Sequence, residues 1–182
     1  MKPRHLLGAL LTAALAAASL AVPSAASAAG RGTPPAFASA SGSTYELRAQ
    51  HSGKCLDVDG ALTYDGANVK QWTCVGVPQQ HWSPVPVGGG YYELRAQHSG
   101  KCLDVDGALT FDGANVQQWT CAGVPQQHWL LNPVGSGFYE LRAQHSGKCL
   151  DVDNAYKYDG ANVKQWTCVG APQQHWLLVF AG

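Results

Sequence analysis

A 38-residue segment occurs three times in this chain, at residues 45–82, 92–129 and 139–176, with a period of 47. The copies are nearly identical. The first and second differ only at Tyr64/Phe111, Lys70/Gln117 and Val75/Ala122, and the third departs from the first at Asn154, Tyr156, Lys157 and Ala171. A unit this short cannot bury a hydrophobic face by itself, so the copies must share one core. Three equivalent units around one core imply a pseudo-threefold axis, and closing them on one another removes exposed strand edges.

Within a copy the pattern is strand and turn. Apolar residues alternate in Tyr45-x-Leu47 and Leu56-x-Val58, the period of a β-strand with one buried face. Ser52-Gly53, Asp65-Gly66 and Val77-Pro78 interrupt it, and Asp-Gly suits a tight hairpin turn. No window offers three turns of helical face, so the domain is expected to be all-β. Each copy holds two cysteines, Cys55/Cys74, Cys102/Cys121 and Cys149/Cys168. Pairing within each copy is the simplest scheme that treats the three alike. Zinc is the rival reading, but a C-x-x-C pair is missing and an exported chain favours oxidation.

The chain opens with Lys2, Arg4 and His5, an apolar run over residues 6–22 and Ala26-Ser27-Ala28, the layout of a cleavable signal peptide over residues 1–28. Residues 29–43, rich in Ala, Gly, Ser and Pro, read as a flexible leader. The repeats then form one domain, 44–182, divided as 45–91, 92–138 and 139–182. The expected product is secreted and extracellular, with no membrane insertion after cleavage. Lys+Arg and Asp+Glu balance at 12 each, without a basic run, which argues against nucleic acid as a partner.

Alternation also sorts the side chains. Leu56 and Val58 face inward, so Cys55, Asp57 and Asp59 share the other face. Val69 inward puts Asn68, Lys70, Trp72 and Cys74 outward. A Cys55–Cys74 bridge then joins the two outward faces and brings Asp57 near Trp72. An aromatic plane covers the C–H patch of a sugar ring while a carboxylate accepts its hydroxyl hydrogens. The competing reading makes Trp72 a core residue and Asp57 a turn cap. Trp82, Trp129 and Trp176 are expected in the core. Gln71, Gln118 and Gln165 fall on inward positions, where backbone groups satisfy them or a bulge displaces them.

The Cys-Leu-Asp-Val start, Trp72-Thr73-Cys74 and the closing Gln80-x-Trp82, each present three times, resemble the ricin-type β-trefoil lectins, which overlap carbohydrate-binding module family 13. The resemblance covers about residues 44–182. It implies three four-stranded repeats, a short barrel capped by hairpins, and up to three shallow sugar sites. By the same resemblance Asp57, Asp104 and Asp151 grip sugar hydroxyls, Trp72, Trp119 and Trp166 stack on the ring, and Gln80, Gln127 and Gln174 orient the carboxylates. The pattern is broken at Gln79, Gln126 and Gln173, where family members often have Asn. It is broken again at Lys70 and Lys164, where Gln is common and only Gln117 conforms. Galactose-type and xylan-type glycans are the implied partners, with no cofactor and no metal.

Three other functions compete with sugar binding. Asp57 and Asp59 form a carboxylate pair of the kind that hydrolyses glycosides, but they sit side by side on one strand and recur in every copy. Repetition favours binding over catalysis, because linked sites gain avidity. Asp57-Val58-Asp59-Gly60 opens like a calcium loop, yet residues 61–64 bring no further acid,. The histidines at 51, 98 and 145, or at 81, 128 and 175, have the symmetry to meet on the axis; surface or hydrogen-bonded histidine is the expected state. A non-catalytic protein-binding or protease-inhibitor trefoil is the remaining alternative.

Overall fold

The computed structural model describes residues 42–182. The proposed signal peptide, and the 29–43 leader up to residue 41, lie outside the described residues. Each repeat supplies four strands: β1 (Tyr45–Ala49), β2 (Cys55–Val58), β3 (Val69–Trp72) and β4 (His81–Gly88) from the first. The second gives β5 (Tyr91–Ala96), β6 (Cys102–Val105), β7 (Val116–Trp119) and β8 (Trp129–Gly135). The third gives β9 (Phe138–Ala143), β10 (Cys149–Val152), β11 (Val163–Trp166) and β12 (His175–Phe180).

Six strands close a barrel, each pairing antiparallel with the next in the order β1, β4, β5, β8, β9, β12 and back to β1. The hairpins β2–β3, β6–β7 and β10–β11 meet one another through β3, β7 and β11. The chain is therefore an all-β trefoil with pseudo-threefold symmetry, as the period of 47 requires. Leu47, Leu56, Val58 and Val69, with their counterparts in the other copies, fill a single core. Trp82, Trp129 and Trp176 are fully buried in it. Each indole N–H donates to a backbone oxygen, Trp82 Nε1 to Leu56 at 3.1 Å, so the large ring carries no unpaired polar atom inside,.

The three disulfides form within copies, Cys55–Cys74, Cys102–Cys121 and Cys149–Cys168, each with a Cα separation of 5.1 Å. Closing a loop of about 20 residues contributes roughly 3 kcal/mol by the chain-entropy estimate.

Gln71 has a definite role that alternation alone left open. It faces inward without a bulge, fully buried. Its Nε2 donates to the carbonyls of Tyr156 and Tyr158 at 2.6 and 3.1 Å, and its Oε1 accepts from Ser52 Oγ at 2.8 Å. Gln118 makes the same bonds to Leu62 and Tyr64, and Gln165 to Leu109 and Phe111. Each glutamine thus stitches its own repeat to a loop of another. Gln71→Leu, close in volume, removes the donor from two carbonyls and the acceptor from Ser52. It should cost about 1–3 kcal/mol in a urea unfolding titration; an unchanged midpoint would deny the stitch any energetic weight.

The axis is lined by asparagine rather than histidine. Asn68 donates to Asn162, Asn162 to Asn115 and Asn115 to Asn68, every bond 2.9 Å, which closes a ring. The histidines are hydrogen-bonded elsewhere: His51 Nε2 lies 2.9 Å from the Tyr156 carbonyl and His81 Nδ1 2.9 Å from Gln97 Oε1.

Candidate functional site

The β2–β3 ladder sets Cys55 opposite Trp72 and Asp57 opposite Lys70. After the disulfide the chain runs through a short 3-10 turn, Pro78–Gln80, whose proline occupies a first-turn position where no N–H is needed,. That turn delivers Gln80 to the carboxylate. Gln80 Nε2 donates to Asp57 Oδ2 at 2.9 Å and to the Thr73 carbonyl at 3.0 Å, while Oε1 accepts from the Val75 N–H at 2.9 Å. All the polar atoms of the amide are engaged, so Asp57 is held in a fixed orientation.

Strand alternation gives the faces of these side chains but not their cover. Cys55 and Asp57 do lie on the face away from Leu56, but that face is covered. Cys55 is fully buried and Asp57 is 4% exposed, under the disulfide and the turn carrying Gln80. Trp72 stays open, 39% exposed, which removes the core reading for it. A pocket of about 320 Å³ joins these groups, lined among others by Asp57, Asp59, Lys70, Trp72, Gln79 and Gln80. Burial pushes the Asp57 carboxyl above the usual range, opposed by the Gln80 bond and the Lys70 charge. The same cause raises Asp104, and raises Asp151 to about 6.

The third copy repeats the first. Gln174 donates to Asp151 at 2.9 Å and to the Thr167 carbonyl at 3.0 Å, and Trp166 is exposed. In the middle copy Gln127 keeps its bonds to Thr120 and Ala122, and Gln117 Nε2 reaches Asp104 at 3.3 Å and Asp106 at 3.2 Å. Both glutamines favour the ionised form of Asp104. Gln126 and Gln173 are half-buried, as Gln79 is.

Two features of the site lie beyond what strand parity encodes. Lys70 Nζ lies 2.5 Å from Asp59 and 4.2 Å from the centroid of the Trp72 ring. Lys164 pairs with Asp153 and lies 4.1 Å over Trp166. The sequence does place these residues at alternating positions, but not the height of the ammonium over the ring. The second feature comes from another repeat. Asp159 accepts from the Thr73 N–H at 2.8 Å and from Lys54 at 2.6 Å, fixing the residue after Trp72. The Lys54 ammonium holds the Asp159 carboxyl below its ordinary value. A Cβ built on Gly160 would lie 3.8 Å from the Trp72 ring, and φ is +90° there, a conformation that favours glycine. No spacing within one copy signals either contact.

The ricin-type beta-trefoil lectin domain-like family model matches residues 36–119 and 125–182. A comparison with curated protein sequences gives no significant match. Among solved structures, a designed 3-fold symmetric protein, ThreeFoil, is 53% identical with a TM-score of 0.74, over 75% of this chain and 97% of that one. An exo-beta-1,3-galactanase from Clostridium thermocellum is 37% identical with a TM-score of 0.75; the match covers 76% of this chain but only 30% of the galactanase. The C-half of an earthworm R-type lectin, solved with GalNAc, shares the fold at 18% identity and a TM-score of 0.59, over 76% of this chain and 98% of that one. With three repeats closed on one barrel and a family match across both parts of the trefoil, the chain belongs to the ricin-type beta-trefoil lectin domain-like family.

Proposed function

We propose that this chain is a secreted, non-catalytic lectin that binds glycans or polysaccharides through three sites at once. The observation that carries this reading is a buried carboxylate, Asp57, fixed by Gln80 at 2.9 Å beside the open face of Trp72. A pyranose presents an apolar C–H face and adjacent hydroxyls, and this pairing matches both. Asp104 with Trp119 and Asp151 with Trp166 are the second and third sites. Weak binding at each site multiplies when several engage one polymer. Catalysis is disfavoured because Asp57 and Asp59 lie two residues apart and recur in every copy, side by side rather than across a scissile bond,. Galactose-type glycans are the first ligands to try, a choice supported by the likeness to part of a galactanase, with xylan-type glycans next.

The test is a glycan and polysaccharide array probed with the oxidised chain and with a triple variant, Trp72→Ala, Trp119→Ala and Trp166→Ala. Binding to a defined sugar class is expected, and its loss in a variant whose circular dichroism matches the parent. No binding across a broad array would overturn the reading in favour of a protein partner on the same scaffold.

A further inference from the structure

Four of the positions that line the first pocket vary among the copies, Gly60/Asn154, Lys70/Gln117, Val75/Ala122 and Val77/Ala171, and of these only Lys70/Gln117 changes a charge and falls on the aromatic platform. In the first site Lys70 and Trp72 line the same pocket, with the ammonium 4.2 Å from the ring centroid. Atoms stacked on an indole sit at van der Waals height, about 4 Å. A pyranose on that part of the face and the ammonium therefore compete for one volume. The ammonium is well held there. Its second contact is Asp59 at 2.5 Å; the lysine side chain is only 14% exposed, although the Asp59 side chain is 49% exposed and its side of the pair is open to water. The third site repeats the arrangement with Lys164, Asp153 and Trp166.

The middle site lacks the cation. Gln117 is buried and turns its amide down onto Asp104 and Asp106, through bonds of 3.3 and 3.2 Å. These are long bonds, readily given up to a shorter sugar hydroxyl. Trp119 is the most open of the three platforms, 44% exposed against 39% and 38% for Trp72 and Trp166. The charge differs as well: Asp104 and Asp106 both accept from Gln117, an uncharged amide where the outer copies have a lysine.

We infer that Lys70 and Lys164 cap the platforms of the first and third sites, leaving the site built on Asp104, Gln117 and Trp119 as the one preformed for a neutral pyranose. This rests on the sugar-binding reading above. Filling a capped site requires the ammonium to leave both the ring and its carboxylate, a cost the middle site does not carry. The middle site fills first, and the outer two fill at higher sugar concentration or when a polymer is already tethered.

The indole N–H resonances of Trp72, Trp119 and Trp166 in the intact oxidised chain report each site separately. They are followed during titration with a panel of neutral methyl glycosides: galactoside, xyloside, glucoside, mannoside and N-acetylgalactosaminide. With the glycoside that binds, Trp119 should respond at a concentration about tenfold lower than the other two. Lys70→Gln with Lys164→Gln installs the residue the middle copy already carries, so the fold is not at issue. That variant should move the Trp72 and Trp166 midpoints toward that of Trp119, and Gln117→Lys should move Trp119 to the weaker class. Equal midpoints in the parent, or an order unchanged by the double substitution, would overturn the capping and leave sugar binding standing. If no resonance moves with any glycoside, the sugar reading falls and the capping falls with it.

Discussion

Trp82→Ala should lower the stability of the fold by about 3–5 kcal/mol, with Trp129→Ala and Trp176→Ala close behind. The indole is fully buried, and its backbone pairs with Tyr45 on one side and Ala96 on the other. One side chain therefore fills the core where three barrel strands meet. Its removal also leaves the Leu56 carbonyl without the donor it has at 3.1 Å, which adds to the cavity term. Trp72→Ala, at an open position, should cost clearly less. Urea unfolding of the two variants checks this, and equal midpoints would mean that the core and surface tryptophans had been confused.

That division between the two tryptophans was legible from the chain alone, because strand parity is a local property. Trp72 lies on the face opposite Val69, and the closing Gln80-x-Trp82 follows a proline turn into a barrel strand. The disulfides were legible for a different reason: three near-identical copies admit one symmetric pairing within each copy. Gln71 shows where parity stops. Its inward position could be read from Val69, but its partners are the carbonyls of Tyr156 and Tyr158, more than 80 residues away. Nothing periodic in one repeat says which loop of another will meet it. The asparagine ring is the same case, since Asn68 looks like an ordinary outward residue until the axis is drawn through it.

The candidate site was legible in composition and incomplete in geometry. Asp57, Trp72 and Gln80 converge because a ladder, a disulfide and a 3-10 turn bring them together, all three encoded within 26 residues of one copy. What parity did not reveal is cover. An outward carboxylate was expected to meet water, and the turn that supplies Gln80 closes over it instead. The support from Asp159 is invisible in a single repeat, because the residue that fixes Thr73 belongs to another. The substitution of Gln117 for Lys70 could be seen in the sequence, yet its consequence for the Trp face appears only with the ammonium in place.

Covering the carboxylates should leave a thermodynamic mark. Replacing Asp57, Asp104 and Asp151 together by Asn is expected to raise the melting temperature at pH 7 by roughly 5 °C, and to weaken sugar binding by about 100-fold. The sign follows from the raised carboxyl pKa values, which burial drives up in all three and to about 6 in Asp151. Groups that hold protons more tightly when folded than when unfolded favour the fold at low pH. That advantage fades as pH rises from about 4 through the folded values. At pH 7 the charged form is buried at a cost, and an Asn oxygen accepts the Gln80 bond without it. The melting difference between parent and variant should therefore shrink as pH falls from 7 to 4. Asp65, Asp112 and Asp159 act in the opposite sense, held low by Lys101, Lys148 and Lys54. Their contribution is present above the unfolded carboxylate range and is lost only as pH falls below it, so the two sets separate on the pH axis. Sugar binding at the Asp151 site should weaken over the same interval, as pH drops through about 6 and the hydroxyl acceptor takes up a proton. Calorimetric melts between pH 4 and 8, paired with sugar titrations, read both quantities. A triple variant that melts below the parent at pH 7 would show that the carboxylates hold the fold together, and that their burial is not a sacrifice of stability to a binding site.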